Sequence, residues 1–160
     1  MCWVFGMRPQ PGSPAPDFEA LTHDGERIRL SELRGRVVVL YFYPRAMTPG
    51  CTREAQRFNE LLDEFTKHNA IVIGVSTDSN ERNKRFAEKL GLRFKLIGDP
   101  EAKIVELYGV RKKGTKRPSA ERVTFIIGPD GVIREVLSGI RPAEKHADKA
   151  LDLVKTIASQ

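Results

Sequence analysis

Apolar positions follow two spacings along the chain. Over residues 37–43 (VVVLYFY) and 70–77 (AIVIGVST) they run almost unbroken and are rich in β-branched and aromatic residues. That pattern predicts strands buried on both faces. A shorter strand is predicted over 94–97. RVTFII (122–127) and VIREVLS (132–138) flank the turn Gly128-Pro129-Asp130-Gly131 and predict a hairpin. A second hairpin is expected over 17–30, where Asp24-Gly25 sits in the polar centre THDGER. Residues 31–35 read as a short helical turn or loop. Helical spacing predicts helices over 49–67, over 80–90 with Gly91 as the stop, from Asp99-Pro100 to Gly109, and over 142–158. The order β-α-β-α-β-α-β-β-α predicts an α/β fold, with a mixed sheet and helices on both faces. Neither repeats nor low-complexity tracts divide the chain. A single domain over 1–160 is expected, with 1–11 as an N-terminal tail.

Composition narrows the function classes. With 160 residues, 40% hydrophobic and 30% charged, the chain can bury a core without disulfides or metals. No apolar run approaches the roughly 20 residues of a membrane span. The opening MCWVFGMRPQPG lacks the basic start and small-residue cleavage site of a signal peptide. Two widely separated cysteines fit a reducing compartment, so a cytoplasmic location is expected. The net charge is +6. Its densest cluster, RKKGTKR (111–117), contains Gly and precedes Pro118, which predicts an exposed loop. No aromatic residues interleave with it to stack bases, so no specific nucleic-acid partner is expected. The segment GVRKKGTK also lacks the order of a phosphate loop.

The chemistry centres on YPRAMTPGC, residues 43–51. With Thr48 at the N-cap, Pro49 falls at N1, where its missing N–H costs nothing, and Cys51 falls at N3. Ala55, Phe58, Leu62 and Phe65 follow at helical spacing, so Cys51 is in line with the apolar stripe but in the first turn. Unpaired N–H groups and the positive end of the helix dipole favour a thiolate there. The dipole supplies roughly 0.3–1 kcal/mol, so a strong preference needs another cation or further hydrogen bonds. An inert, buried cysteine is an equal reading of position alone, and a cap alone is the alternative reading of Thr48. Position 54 is Glu, which excludes a Cys-x-x-Cys redox pair. The histidines, His23, His68 and His146, fall in a hairpin turn, at a helix end and on the last helix, so none is expected at the end of a strand. No Cys/His cluster suggests a metal.

The stretch PRAMTPGC resembles the peroxiredoxin signature, and VVVLYFYPRAMTPGCTREA is similar to the bacterioferritin comigratory protein, or peroxiredoxin Q, subfamily. GSPAPDFEAL, VIGVSTDS, RFAEKLGLRFKLIGDP and RVTFIIGPDGVI resemble further family segments in the same order, from about Gly12 onward. The resemblance implies a thioredoxin-like fold and a thiol peroxidase that reduces hydrogen peroxide and organic hydroperoxides, in antioxidant defence, without a cofactor. Cys51 would be the peroxidatic nucleophile. Thr48 would hydrogen-bond the peroxide, and Pro44 would shield the pocket. Arg122 would be the cation; residue chemistry alone does not choose it over Arg45 or Arg53.

One departure concerns recycling. Many members of the subfamily carry a resolving cysteine five positions after the first, where this chain has Gln56. The other cysteine, Cys2, reads as incidental to the tail. An external thiol or thioredoxin-like reductant is therefore the expected partner, in a monomer or homodimer. The competing function is a non-enzymatic binding or chaperone-like protein on the same scaffold, with Cys51 a vestige.

Overall fold

The computed structural model describes residues 7–159. A small antiparallel hairpin comes first, β1 (Glu19–Leu21) and β2 (Arg27–Arg29), followed by a 3₁₀ turn at Leu30–Leu33. The central sheet uses β3 (Val37–Phe42), β4 (Ala70–Ser76), β5 (Lys95–Gly98), β6 (Val123–Ile127) and β7 (Ile133–Ser138), in the spatial order β5-β4-β3-β6-β7. β3, β4 and β5 are parallel, while β6 and β7 are antiparallel to their neighbours. The helices are α1 (Pro49–Glu60), α2 (Leu62–Lys67), α3 (Asn80–Leu90), α4 (Lys103–Leu107) and α5 (Lys145–Ala158).

The expected mixed α/β architecture is present. Every residue of β3 is buried, because its side chains alternate between two cores. Val37, Val39 and Tyr41 meet Phe58 of α1, Phe65 of α2, Phe86 of α3 and Val154 of α5. Val38, Leu40 and Phe42 meet Tyr108, Phe125 and the α4 residues Ile104 and Val105. Each fully buried large apolar side chain contributes about 1.5–3 kcal/mol, so an unbroken apolar strand is stable only as the middle of such a sandwich.

Three boundaries depart from the sequence expectation. The helix expected over 49–67 breaks at Leu61, whose backbone leaves helical geometry (φ −91°, ψ 1°) before α2 restarts. The break lets Phe58 and Phe65 both reach the core. α4 starts after Asp99-Pro100 rather than at it. The Asp99 carboxylate first collects the N–H groups of Lys103, Ile104 and Val105, each at 2.9 Å. α5 starts at Lys145 instead of residue 142. Of the expected tail, residues 1–6, with Cys2, lie outside the described residues. Residues 7–11 are tied down in part, since Arg8 pairs with Glu121 and its backbone packs on Gly109.

Candidate active site

β3, the central strand, delivers the chain to its carboxyl end, and the loop from Pro44 to Thr48 turns it into α1. That loop is held from α3. The Asp78 carboxylate accepts from the Ala46 N–H (2.7 Å) and from the Ser76 hydroxyl (2.7 Å), and it pairs with Arg82 (3.0 Å). Arg82 in turn donates to the Ala46 carbonyl (3.2 Å), and the Ser119 hydroxyl donates to the Pro44 carbonyl (3.3 Å). Met47 takes a left-handed conformation, φ 69°, within this clamp.

α1 opens as the spacing predicts, with Thr48 at the N-cap, Pro49 at N1 and Cys51 at N3. The Thr48 side chain, however, does not cap the helix. Its hydroxyl donates backward to the Arg45 carbonyl at 2.8 Å. The first N–H to turn back into the helix is that of Thr52, onto the Thr48 carbonyl (2.9 Å). The Gly50 and Cys51 amides therefore remain at the helix mouth, where orphan donors and the dipole favour an anion.

The sulfur of Cys51 is almost completely buried, at 1% exposure. Arg122, just before β6, reaches it from the neighbouring strand: Nη2 donates to Sγ at 3.4 Å, and Nη1 donates to Glu54 Oε1 at 2.6 Å. One guanidinium thus bridges the sulfur and a carboxyl one helical turn further on. Gly50 permits the approach, since a Cβ there would lie 3.2 Å from Nη2. Burial works against the charge on Arg122, but Glu54 and Cys51 more than offset it and hold the guanidinium protonated. Burial pushes the Glu54 carboxyl up to about 8, and the attraction of Arg122 offsets only part of that rise. Burial also holds the Tyr41 phenol, behind this cluster, well above its usual range.

Pro44 and Arg122 line an open groove of about 650 Å³, together with Val123, Ile140, Pro142 and Ala143. The structure brings together Cys51 and Arg122 directly, and sets Pro44 and Thr48 on the adjoining loop. Arg45 is exposed and Arg53 pairs with Glu144, which leaves Arg122 as the cation on the sulfur.

Sequence reasoning missed three contributors. Glu54 was read only as the absence of a second cysteine, although a carboxylate beside Ala55 in an apolar stripe signals a buried partner. The Asp78–Arg82 clamp had no signal beyond the polar stretch STDS. His146 was expected away from any strand end, yet it is buried and its Nδ1 meets the Thr124 hydroxyl on β6 at 3.0 Å. Of the other histidines, His23 is bonded to Leu96 and His68 to the Glu64 carbonyl, both away from the sulfur.

Comparison with known proteins identifies the family. The model of the AhpC/TSA family matches residues 11–136. Peroxiredoxin Bcp of Bacillus subtilis (strain 168) is 37% identical over 153 residues, covering 93% of this chain and 97% of that protein. Peroxiredoxin Bcp of Escherichia coli (strain K12) is 37% identical over 148 residues, covering 90% and 94%. Among solved structures, peroxidoxin BcpB of Mycobacterium tuberculosis superposes with a TM-score of 0.86 at 36% identity, over 92% of this chain and 97% of that one. A Cys-to-Ser mutant of Xylella fastidiosa PrxQ gives 0.87 at 31% identity, over 94% and 98%. With the thioredoxin-like fold, the matching family model and relatives of nearly equal length, the chain belongs to the AhpC/TSA family and is a thiol peroxidase of the Bcp, or peroxiredoxin Q, type.

Proposed function

We propose that Cys51 is the peroxidatic nucleophile of this thiol peroxidase, with Arg122, Thr48 and Pro44 as its site. The observation that carries the reading is the Arg122 Nη2 to Cys51 Sγ contact of 3.4 Å, made across 71 residues of chain at the open mouth of α1. A guanidinium hydrogen bond and two helix-mouth amides stabilise a thiolate, the nucleophilic form of cysteine.

The thiolate attacks the terminal oxygen of a hydroperoxide. An S–O bond forms, the O–O bond breaks, and its electron pair leaves on the second oxygen, which takes a proton to give water or an alcohol. Cys51 is left as the sulfenic acid. Because the Thr48 proton is given to the Arg45 carbonyl, the Thr48 oxygen keeps its lone pairs for the peroxide O–H. Arg122 sits where charge builds as the S–O bond forms, and Pro44 closes the groove beside it.

Recycling falls to an external thiol. Gln56 is exposed on α1 and holds no sulfur, so no disulfide forms within this helix. A thiol attacks the sulfenic acid to give a mixed disulfide and water, and a second thiol frees Cys51. A buried sulfur admits a bulky thiol only if the first turn opens, and Gly50 gains the most backbone entropy there. The same reading has the protein acting in the cytoplasm as one domain, a monomer or homodimer, in keeping with its two widely separated cysteines.

The test is thiol-dependent peroxide reduction by Cys51→Ser, with intact mass after one equivalent of peroxide. Turnover should be lost, along with the 16 Da adduct expected for a sulfenic acid (about one oxygen atom). Near wild-type turnover in that variant refutes the assignment. Under the external-thiol reading Cys2→Ser should turn over normally, whereas a stoichiometric Cys2–Cys51 disulfide would make Cys2 the resolving residue.

A further inference from the structure

His146 is a polar group that neither the fold nor the proposed chemistry uses. It lies in the first turn of α5, fully buried, and its backbone N–H bonds the Ala143 carbonyl at 3.1 Å. Nδ1 is 3.0 Å from the Thr124 hydroxyl, and Nε2 is buried with no hydrogen-bond partner. Thr124 itself is buried in β6, two residues after Arg122, and so on the same face of the strand. His146 and Arg122 line the same groove. The turn before His146 also belongs to the site: a Cβ on Gly50, next to Cys51, would lie 3.8 Å from the Ala143 Cβ and 3.2 Å from Arg122 Nη2.

Hydrogen-bond accounting selects the tautomer. If Nδ1–H donated to Thr124, both the hydroxyl proton and the Nε2 lone pair would be orphaned. If the hydroxyl donates to Nδ1, every polar atom of the pair is satisfied except the Nε2–H of a residue that lines the groove. Leaving a buried donor unmade is costly, so the second arrangement wins. The ring stays neutral: burial first, and then the nearby Arg122 charge, lower its pKa to about 4. A neutral imidazole beside Arg122 gives directional donation without adding a second cation.

We propose that His146 is a further substrate-binding residue of the peroxidase site, its Nε2–H donating to the oxygen that departs from a hydroperoxide held between Pro44 and Arg122. The proposal rests on the assignment of Cys51 as nucleophile. As the thiolate sulfur bonds to the terminal oxygen, the O–O electron pair collects on the second oxygen. Nε2–H stabilises that oxygen by a hydrogen bond and keeps its own proton, and water supplies the proton that completes the alcohol or water product. Arg122 then serves the sulfur side of the breaking bond and His146 the leaving side. Thr124 fixes the ring, which makes it a positioning residue.

The experiment measures the second-order rate of Cys51 oxidation by stopped flow, with hydrogen peroxide and with tert-butyl hydroperoxide. The variants are His146→Phe, His146→Gln and the double variant Thr124→Val/His146→Phe, each with a melting temperature. His146→Phe should slow oxidation about tenfold, below the roughly 10²–10³ cost of removing an oxyanion donor because Arg122 remains in place. The double variant removes the orphaned hydroxyl and should regain melting temperature but not rate. His146→Gln, whose amide N–H can take the place of Nε2–H, should recover part of the rate. If the double variant returns to the wild-type rate, Nε2–H serves packing or an ordered water, and the proposal fails. Cys51→Ser separates the two readings. Peroxide consumption persisting in that variant overturns the nucleophile, whereas its loss there with an unchanged rate in His146→Phe overturns only the role of His146.

Discussion

Three helices start beyond the carboxyl ends of parallel strands in the same sheet, and they treat their first amides differently. At α3 the Ser79 side chain accepts from the Arg82 N–H at 3.1 Å, an ordinary N-cap. At α4 the Asp99 carboxylate takes three N–H groups. At α1 the capping position holds Thr48, a good capping residue, but its hydroxyl is turned back to Arg45 and no side chain closes the helix mouth. The closed starts hold structure. The open one faces the buried sulfur and a guanidinium. A cap contributes about 1 kcal/mol, so leaving one unmade at the helix start that carries Cys51 exchanges stability for an anion site.

Four changes test that contrast, in order of their effect on the peroxide reaction. Arg122→Met keeps bulk and removes the charge. Cys51 oxidation should slow by about 10²–10³, the range for losing a preorganised donor, while circular dichroism shows a folded protein. A rate within a few-fold of wild type by stopped flow would show that the sulfur does not depend on this cation.

Thr48→Val keeps the shape of the side chain and removes its hydroxyl. The oxidation rate should fall about tenfold, the equivalent of roughly 1.4 kcal/mol, with little change in melting temperature because no cap is lost. Lost stability with an unchanged rate would instead make Thr48 a structural turn residue.

Glu54→Gln should slow the reaction only a few-fold, since the amide oxygen can still accept from Arg122. Its larger signature is in stability against pH. The folded-state pKa of Glu54, raised to about 8 by burial, lies above the unfolded value. Its contribution is therefore fully present below about pH 4.5 and is lost as pH rises through 8. Melting temperatures between pH 5 and 8.5 should show this decline in the wild type and a flatter profile in the variant. Parallel profiles would mean that Glu54 ionises normally.

Ser79→Ala marks the other side of the contrast. It should cost about 1 kcal/mol of stability by denaturant titration and leave the oxidation rate unchanged. A slowed rate would show that the start of α3 feeds into the site, by way of the Arg82–Asp78 clamp on the Pro44–Thr48 loop.

Much of this site was legible before any contact was known. The strand over 37–43, the Thr-Pro start and Cys51 at N3 follow from periods and caps that act within a few residues, and the helix start falls where they place it. The stripe through Ala55, Phe58 and Phe65 is buried as expected, yet the break at Leu61 was not visible. Either a continuous helix or a broken one satisfies that spacing, and packing decides between them. The family resemblance named Arg122, where residue chemistry could ask only for a cation.

Tertiary structure decided the rest. Arg122 meets Cys51 and Glu54 across 71 and 68 residues of chain. Those contacts depend on the antiparallel register of β6 on β3, which pairs Phe42 with Val123 and so brings Arg122 to the strand end that launches α1. His146 reaches Thr124 only because α5 packs on the same face of the sheet. The direction of the Thr48 hydroxyl, toward the Arg45 carbonyl, does not follow from its place in a capping motif. Local spacing specifies which residues share a helix face or a strand edge, because it follows from the geometry of a single element. Which charge meets which sulfur, and which donor is left without a partner, is fixed only when separate elements are held in register.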